Sequence, residues 1–359
     1  MSQAWPNRRI LDLFRIDLPL LLAPMAGSGT PKLAIAVGAA GGLAALPAAQ
    51  YTPEQLDAAI DEVREALPGR PLNLNFFAHT PPVPDAAREA NWRARLAPYF
   101  AEAGIDPATV PSGGGRAPFD EKFCVLVEAR RPEVVSFHFG LPEPSLLERV
   151  KATGAKVISS ATTVAEARWL EEKGCDAIIA MGLEAGGHRG AFLDLDMSRQ
   201  VGTFALVPQV RDAVSVPVIA AGGISDGRGV AAAFALGADA VQVGTAFLFS
   251  PEAGMAPLHR AALERADDNT TALTNLFTGR PARGVMNRIM REIGPLSPDA
   301  PAFPLSGAAL APLKARAEAD GRDDFTNLWS GQAARLAPRL PAGELALKLV
   351  EDARALLGA

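Results

Sequence analysis

The chain has 359 residues, 48% of them hydrophobic, with 35 Lys+Arg against 40 Asp+Glu and a formal net charge of −5. That balance offers no basic field for a nucleic-acid backbone or an acidic membrane surface. Two cysteines exclude a disulfide scaffold and fit a cytoplasmic, reducing setting. Four histidines and the two scattered cysteines, Cys124 and Cys175, make no metal cluster at ligand spacing. Asp12 and Asp17 interrupt the first apolar stretch, so neither a signal peptide nor a membrane span is expected.

Short apolar runs alternate with helix signals along the chain. Leu20–Ala23 reads as the first strand, ended by Pro24-Met25-Ala26-Gly27. Thr30 is a candidate N-cap with Pro31 at N1, and Leu33–Gly38 continues that helix. Gly42–Leu46 is the second strand. Thr52 and Gln55 have capping-box spacing and open a helix through Leu67, before a third strand at Leu72–Phe76. Residues 78–122 break the rhythm with Pro81, Pro82 and Pro84, a helix at Ala86–Phe100, and a glycine-rich loop at 111–115. This excursion is expected to wall or cover a pocket.

Strands follow at Val134–Phe139, Lys156–Ser160, Ala177–Met181, Val216–Ala221 and Ala240–Val243, with helices between them. Most of these runs are apolar throughout rather than alternating, as in parallel strands covered on their outer side. Eight such units predict a TIM-like (β/α)8 barrel over 1–249. A mainly helical part is expected over 250–335, with helices at Pro251–Arg265 and Leu310–Ala319 and a polar stretch at Leu276–Ile293. Residues 336–359 are expected to return to the barrel as a helix.

In such barrels ligands gather at the C-terminal ends of the strands. Gly186-Gly187-His188-Arg189-Gly190 places a titratable ring among glycines just past the sixth strand. That favours a role for His188 as base or anion contact. His138 ends the fourth strand, His79 lies near the third, and His259 reads as a surface residue of a polar helix. Gly222-Gly223 and Gly244-Thr245 offer unhindered amides for a phosphate, together with helix amides near Ser225–Arg228. Gln242 is a polar residue within an apolar strand and needs a partner. Met25 is soft enough to pack on a flat ring.

Taken together, Ala23-Pro24-Met25-Ala26-Gly27, Asn73-Leu74-Asn75-Phe76, Ser136-Phe137-His138-Phe139-Gly140, Glu184–Gly190, Ala221-Gly222-Gly223-Ile224, Gln242–Ala246 and Thr278–Gly284 resemble the bacterial-type class I nitronate monooxygenases. The resemblance covers most of the chain and departs from the family wording at Ser28-Gly29. It implies a barrel holding non-covalent FMN. Ala23, Met25, Asn75, Gly187 and Gln242 would lie at the flavin, and Gly222, Gly223, Gly244 and Thr245 at its phosphate. His188 would be the catalytic base and His138 a second pocket histidine.

The implied reaction is oxidation of an alkyl nitronate by dioxygen to a carbonyl compound and a nitrogen oxyanion. Propionate 3-nitronate is the family-led substrate, and Arg280, Arg283 and Arg288 are candidates for its carboxylate. The family admits monomers and homodimers. A flavin-dependent enoyl-thioester reductase using NAD(P)H is the alternative, since it shares the barrel and a similar Gly-Gly-His segment.

Overall fold

The computed structural model describes Trp5 and residues 7–358. Residues 1–4, 6 and 359 of the ranges given above lie outside the described residues. Eleven strands are present: β1 Leu20–Leu22, β2 Ala44–Pro47, β3 Leu72–Phe77, β4 Val134–His138, β5 Lys156–Ala161, β6 Ala177–Met181, β7 Gly187–His188, β8 Val218–Ala221, β9 Ala240–Val243, β10 Thr271–Thr274 and β11 Ala282–Val285. Eight form one parallel sheet in the order β1-β9-β8-β6-β5-β4-β3-β2. It closes because Leu43 N–H donates to Leu20 O at 2.9 Å and Leu22 N–H to Leu43 O at 3.1 Å. The TIM-like barrel is therefore the observed architecture.

Local chemistry sets the helix starts. Thr30 Oγ1 accepts from Leu33 N–H at 3.0 Å, and Thr52 with Gln55 completes a capping box. The predicted helix over Pro251–Arg265 is shorter and spans Pro257–Glu264. The preceding residues are held as a loop that ties two helix starts together. Glu252 O accepts from Thr30 Oγ1–H at 2.7 Å, and the Glu252 carboxylate accepts from Ala342 N–H at 3.1 Å. The last helix, Ala342–Leu357, packs on Gly227–Ala235 and Pro31–Ala39 through Leu345, Leu349 and Val350.

The stretch at Leu276–Ile293, read as polar, is not a surface segment. Leu276, Phe277, Ile289 and Met290 enter a second core with Trp92 and Phe100 of the helix Ala86–Ala103 and Leu310 and Leu313 of the helix Gly307–Ala319. The excursion and the later helices thus share one apolar interior above the barrel. A three-stranded antiparallel sheet, β10-β11-β7, accompanies them and was not anticipated. Its register pairs Ala282 with His188 and Arg283 with Gly187. No helix among the described residues is long and apolar enough to cross a membrane.

Candidate active site

A cavity of about 240 Å³ sits at the C-terminal ends of the barrel strands. Ala23, Met25, Asn75, His138, Gly187, His188, Gly222, Gly223, Gln242, Gly244 and Thr245 all border it. The structure therefore brings the two histidines expected for the chemistry and the nine residues expected at the flavin to one place.

The Gly222-Gly223 and Gly244-Thr245 turns sit side by side because β8 and β9 are neighbours. Gly222 and Gly223 have φ +109° and +72°, which favour glycine. A Cβ on Gly222 would lie 3.0 Å from Ala185 N and from Thr203 Oγ1. Thr245 Oγ1 accepts from Gly331 N–H at 2.9 Å, which leaves its own O–H to donate. The helix amides behave differently from expectation. Asp226 caps its own helix, accepting from Arg228 N–H at 3.0 Å and Gly229 N–H at 3.2 Å, so those two amides are already engaged. What remains is a cradle made by the two glycine turns.

Deeper polar groups are unevenly satisfied. Asn75 Nδ2 donates to Ser136 Oγ at 2.9 Å. Gln242 Oε1 is buried with no hydrogen-bond partner in the protein, as are both amide atoms of Asn73 one pleat below Asn75. A buried orphan acceptor at a cavity wall is costly unless something enters to pair with it.

The histidines form a chain. His138 Nδ1 lies 2.6 Å from Ser160 Oγ, and its Nε2 lies 3.1 Å from the His188 carbonyl. A carbonyl can only accept, so Nε2 carries the proton and Nδ1 accepts from the serine hydroxyl. Burial, opposed by the bond to the His188 carbonyl and reinforced by Arg280 and Arg189, lowers the His138 pKa to about 4. His188 Nε2 lies 2.9 Å from Thr278 Oγ1, whose hydroxyl is 3.3 Å from the Arg280 carbonyl. The same logic has Thr278 donate to that carbonyl and accept from His188 Nε2–H, which leaves Nδ1 as the free lone pair. Burial first, then the charges of His138, Arg116, Arg280 and His79, hold His188 well below the usual imidazole range. Around its ring stand Phe77, Phe139, Phe303 and Trp329, with centroids 5.3–6.1 Å away.

Arg189, beside it, is fully buried and donates to Met181 O at 2.7 Å and Gly182 O at 2.5 Å, tying the His188 loop back to β6. His259 is not a free surface residue. Its Nε2 lies 2.9 Å from the Trp329 carbonyl and the ring borders the cavity. His79 is buried near Phe303 and does not border it.

Sequence reading missed two contributors. One is the loop Asn327–Ala333, where Gly331 and Gly186 approach so closely that a Cβ on Gly186 would strike the Gly331 backbone. Trp329-Ser330-Gly331, an aromatic followed by glycine in a loop, was the available signal. The other is Arg116 at the end of the glycine-rich loop. The three arginines proposed for a carboxylate are engaged elsewhere. Arg280 stacks on Phe139 at 4.1 Å and bonds the Ala191 carbonyl. Arg283 is buried in β11 with Leu183 O at 3.0 Å. Arg288 pairs with Glu102 and Glu292.

Comparison with known proteins places this site. The family model described as nitronate monooxygenase matches residues 7–352. A nitronate monooxygenase from Pseudomonas aeruginosa is 42% identical over 349 residues, covering 96% of this chain and 99% of that protein. One from Paraburkholderia phytofirmans is 40% identical and covers 98% of this chain and 96% of its own. Among solved structures, nitroalkane oxidase from Streptomyces ansochromogenes superposes with a TM-score of 0.87 at 39% identity, covering 97% of this chain and 99% of that one. FabK from Thermotoga maritima superposes less well, with a TM-score of 0.73 at 30% identity, covering 99% and 98%. A barrel with glycine-built strand ends, a histidine held by the overlying sheet, and full-length similarity to these enzymes agree: the chain is an oxidoreductase belonging to the nitronate monooxygenase family.

Proposed function

We propose that the protein binds FMN in this cavity and oxidises alkyl nitronates with dioxygen, giving a carbonyl compound and a nitrogen oxyanion. Propionate 3-nitronate is the substrate we favour. The observation that carries the reading is electrostatic. In a chain of net charge −5, no Asp or Glu borders the cavity among the described residues, whereas the cation Arg116 does, beside His138, His188 and His259, whose pKa values burial lowers. A site of that sign suits an anionic substrate beside an anionic cofactor. Two buried free thiols, Cys124 and Cys175, accord with a cytoplasmic enzyme.

The residues present fit the flavin. The left-handed Gly222-Gly223 turn and Gly244-Thr245 would hold its phosphate, and the orphan Gln242 Oε1 would accept from the ring system. Ala23, Met25, Asn75 and Gly187 would line the ring. Bound there, the flavin would supply the electron transfer between nitronate and dioxygen.

The chain's own groups do the rest. Neutral His188, its Nε2–H committed to Thr278, presents Nδ1 as an acceptor that suits removal of a proton from a nitroalkane carbon. His138 and Ser160 fix the His188 backbone from below. The aromatic wall of Phe77, Phe139, Phe303 and Trp329 keeps water from the reacting carbon.

The test is oxygen uptake by purified yellow protein with propionate 3-nitronate and no NAD(P)H. Rapid uptake with nitrite release supports the reading. Absence of uptake, with NADH or NADPH oxidation driven by a crotonyl thioester, would move the chain to the enoyl reductases.

A further inference from the structure

We propose that Arg116 is the specificity-determining residue of this site, pairing with a carboxylate on the tail of the nitronate substrate. The inference rests on the nitronate reading above and adds the group that selects among nitronates.

Arg116 is delivered by the loop that leaves the helix Ala86–Ala103. Gly113, Gly114 and Gly115 have φ +73°, +89° and +130°, a run that other residues adopt with strain. Gly115 seats the loop. A Cβ there would come within 2.5 Å of the Pro304 ring and 2.7 Å of its carbonyl oxygen. The loop is thus packed against the overlying segment rather than free, and the next residue is set at the cavity wall.

At that wall the guanidinium is almost uncommitted. Arg116 Nη1 donates to Ala49 O at 3.2 Å. No Asp or Glu pairs with Arg116 among the described residues, although most of the other arginines have such a partner. A guanidinium has five N–H donors in a flat fork that matches a carboxylate. Arg116 is exposed at the mouth of the cavity, where partial desolvation lowers its pKa and no anion opposes that shift. The structure therefore places a cation without a protein counter-charge at the mouth of a cavity that no acid borders among the described residues.

Position separates this cation from the phosphate cradle. Arg116 neighbours Ala49, just past β2, whereas the cradle lies on β8 and β9. In the closed order β1-β9-β8-β6-β5-β4-β3-β2, β1 stands between β2 and β9, and β1 and β9 stand between β2 and β8. Arg116 and His188 nevertheless border the same cavity, and the Arg116 charge helps depress the proton affinity of His188. A nitronate carbon at His188 with a short tail ending in a carboxylate spans the two groups. Among the described residues Arg116 is the arginine that borders the cavity, whereas Arg280, Arg283 and Arg288 do not.

The test compares propionate 3-nitronate with propyl-1-nitronate, which lacks the carboxylate, in wild type, Arg116→Gln and Arg116→Lys. Hydrogen bonds to charged groups of this kind correspond to about 10- to 100-fold. Arg116→Gln is expected to lower kcat/KM for the carboxylated substrate by that factor more than it lowers kcat/KM for propyl-1-nitronate, mainly through KM. Arg116→Lys restores part of the loss. Calorimetric binding of 3-nitropropionate weakens by a similar factor, independently of turnover. The bound-flavin spectrum is unchanged, which separates the effect from misfolding. Equal effects on the two nitronates, or none on either, would overturn the assignment while leaving nitronate oxidation standing. Failure of the wild type to oxidise either nitronate would overturn the nitronate reading itself.

Discussion

The buried ring of His138 makes a quantitative prediction about pH. In the folded protein its pKa is lowered from 6.5 to about 4, chiefly by burial. The unfolded chain binds a proton near 6.5, so between those values unfolding takes up a proton that the native state refuses. The stabilising contribution is therefore complete above about pH 6.5 and is lost as pH falls towards 4. Integrating the two binding curves from pH 8 to pH 5 gives about 2 kcal/mol for this one group.

His138→Asn removes the titration. At pH 8 the variant should be less stable by about 1–3 kcal/mol, because it keeps at most one of the ring's two bonds, to Ser160 Oγ and His188 O. Its further loss between pH 8 and pH 5 should be about 2 kcal/mol smaller than that of wild type. Contributions from His79 and His259 remain in both proteins and cancel in the difference, and that of His188, set first by burial, changes only through its interaction with His138. Urea unfolding followed by circular dichroism, with flavin saturating at both pH values, measures each term. An identical pH dependence in the two proteins would refute a neutral, enclosed His138.

Three substitutions probe the chemistry. His188→Asn should keep its yellow colour yet turn over a neutral nitroalkane about 10²–10⁴-fold more slowly, and full activity in oxygen uptake would remove it as the base. Thr278→Val leaves His188 Nε2–H without its 2.9 Å acceptor. A neutral nitroalkane should then suffer about tenfold more than its preformed nitronate, because only the former needs the base; equal losses count against the tautomer assigned here. Gly222→Ala forces a Cβ into a position with φ +109°, 3.0 Å from Ala185 N. Strain of about 1–3 kcal/mol should appear as weaker flavin retention on ultrafiltration, and unaltered retention would speak against the cradle.

The barrel was legible because its strands advertise themselves locally. Ala177–Met181 and Val218–Ala221 are buried on both faces and therefore carry no polar residue. The strand ends were legible for a related reason, since Gly186-Gly187, Gly222-Gly223 and a lone histidine interrupt the apolar runs there. The second sheet was not. Gly187–His188 is two residues long, and Ala282–Val285 contains a buried arginine and a glycine. Gly187–His188 is a strand only because it pairs with Ala282–Arg283 nearly a hundred residues on, and Ala282–Val285 pairs with Thr271–Thr274 as well. Arg116 was hidden in the same way. A triple glycine reads as flexible, and only the contacts with Pro304 and Ala49 turn it into a fixed mount. The helix Ala86–Ala103 announced an apolar face through Trp92, Leu96 and Phe100, but nothing local named its partners, Leu310 and Leu313. His259 misled because its one bond goes to a loop carbonyl, at Trp329, seventy residues away.

The register that pairs His188 with Ala282 has a consequence for how such an enzyme can be altered. The candidate base is stitched by its main chain to the part of the molecule above the barrel, and Arg189 N–H continues the seam to Pro281 O at 2.8 Å. The roof cannot be lifted as a hinged cover without unpicking the residue it shelters. Nor can it be exchanged as a cassette. A transplant that recast the β11 segment to suit a new substrate would also reset the aim of the imidazole, so selectivity and proton transfer are bound to change together. Loops that do not share this seam, such as the one carrying Arg116, are where the pocket can be retuned while the base stays in place.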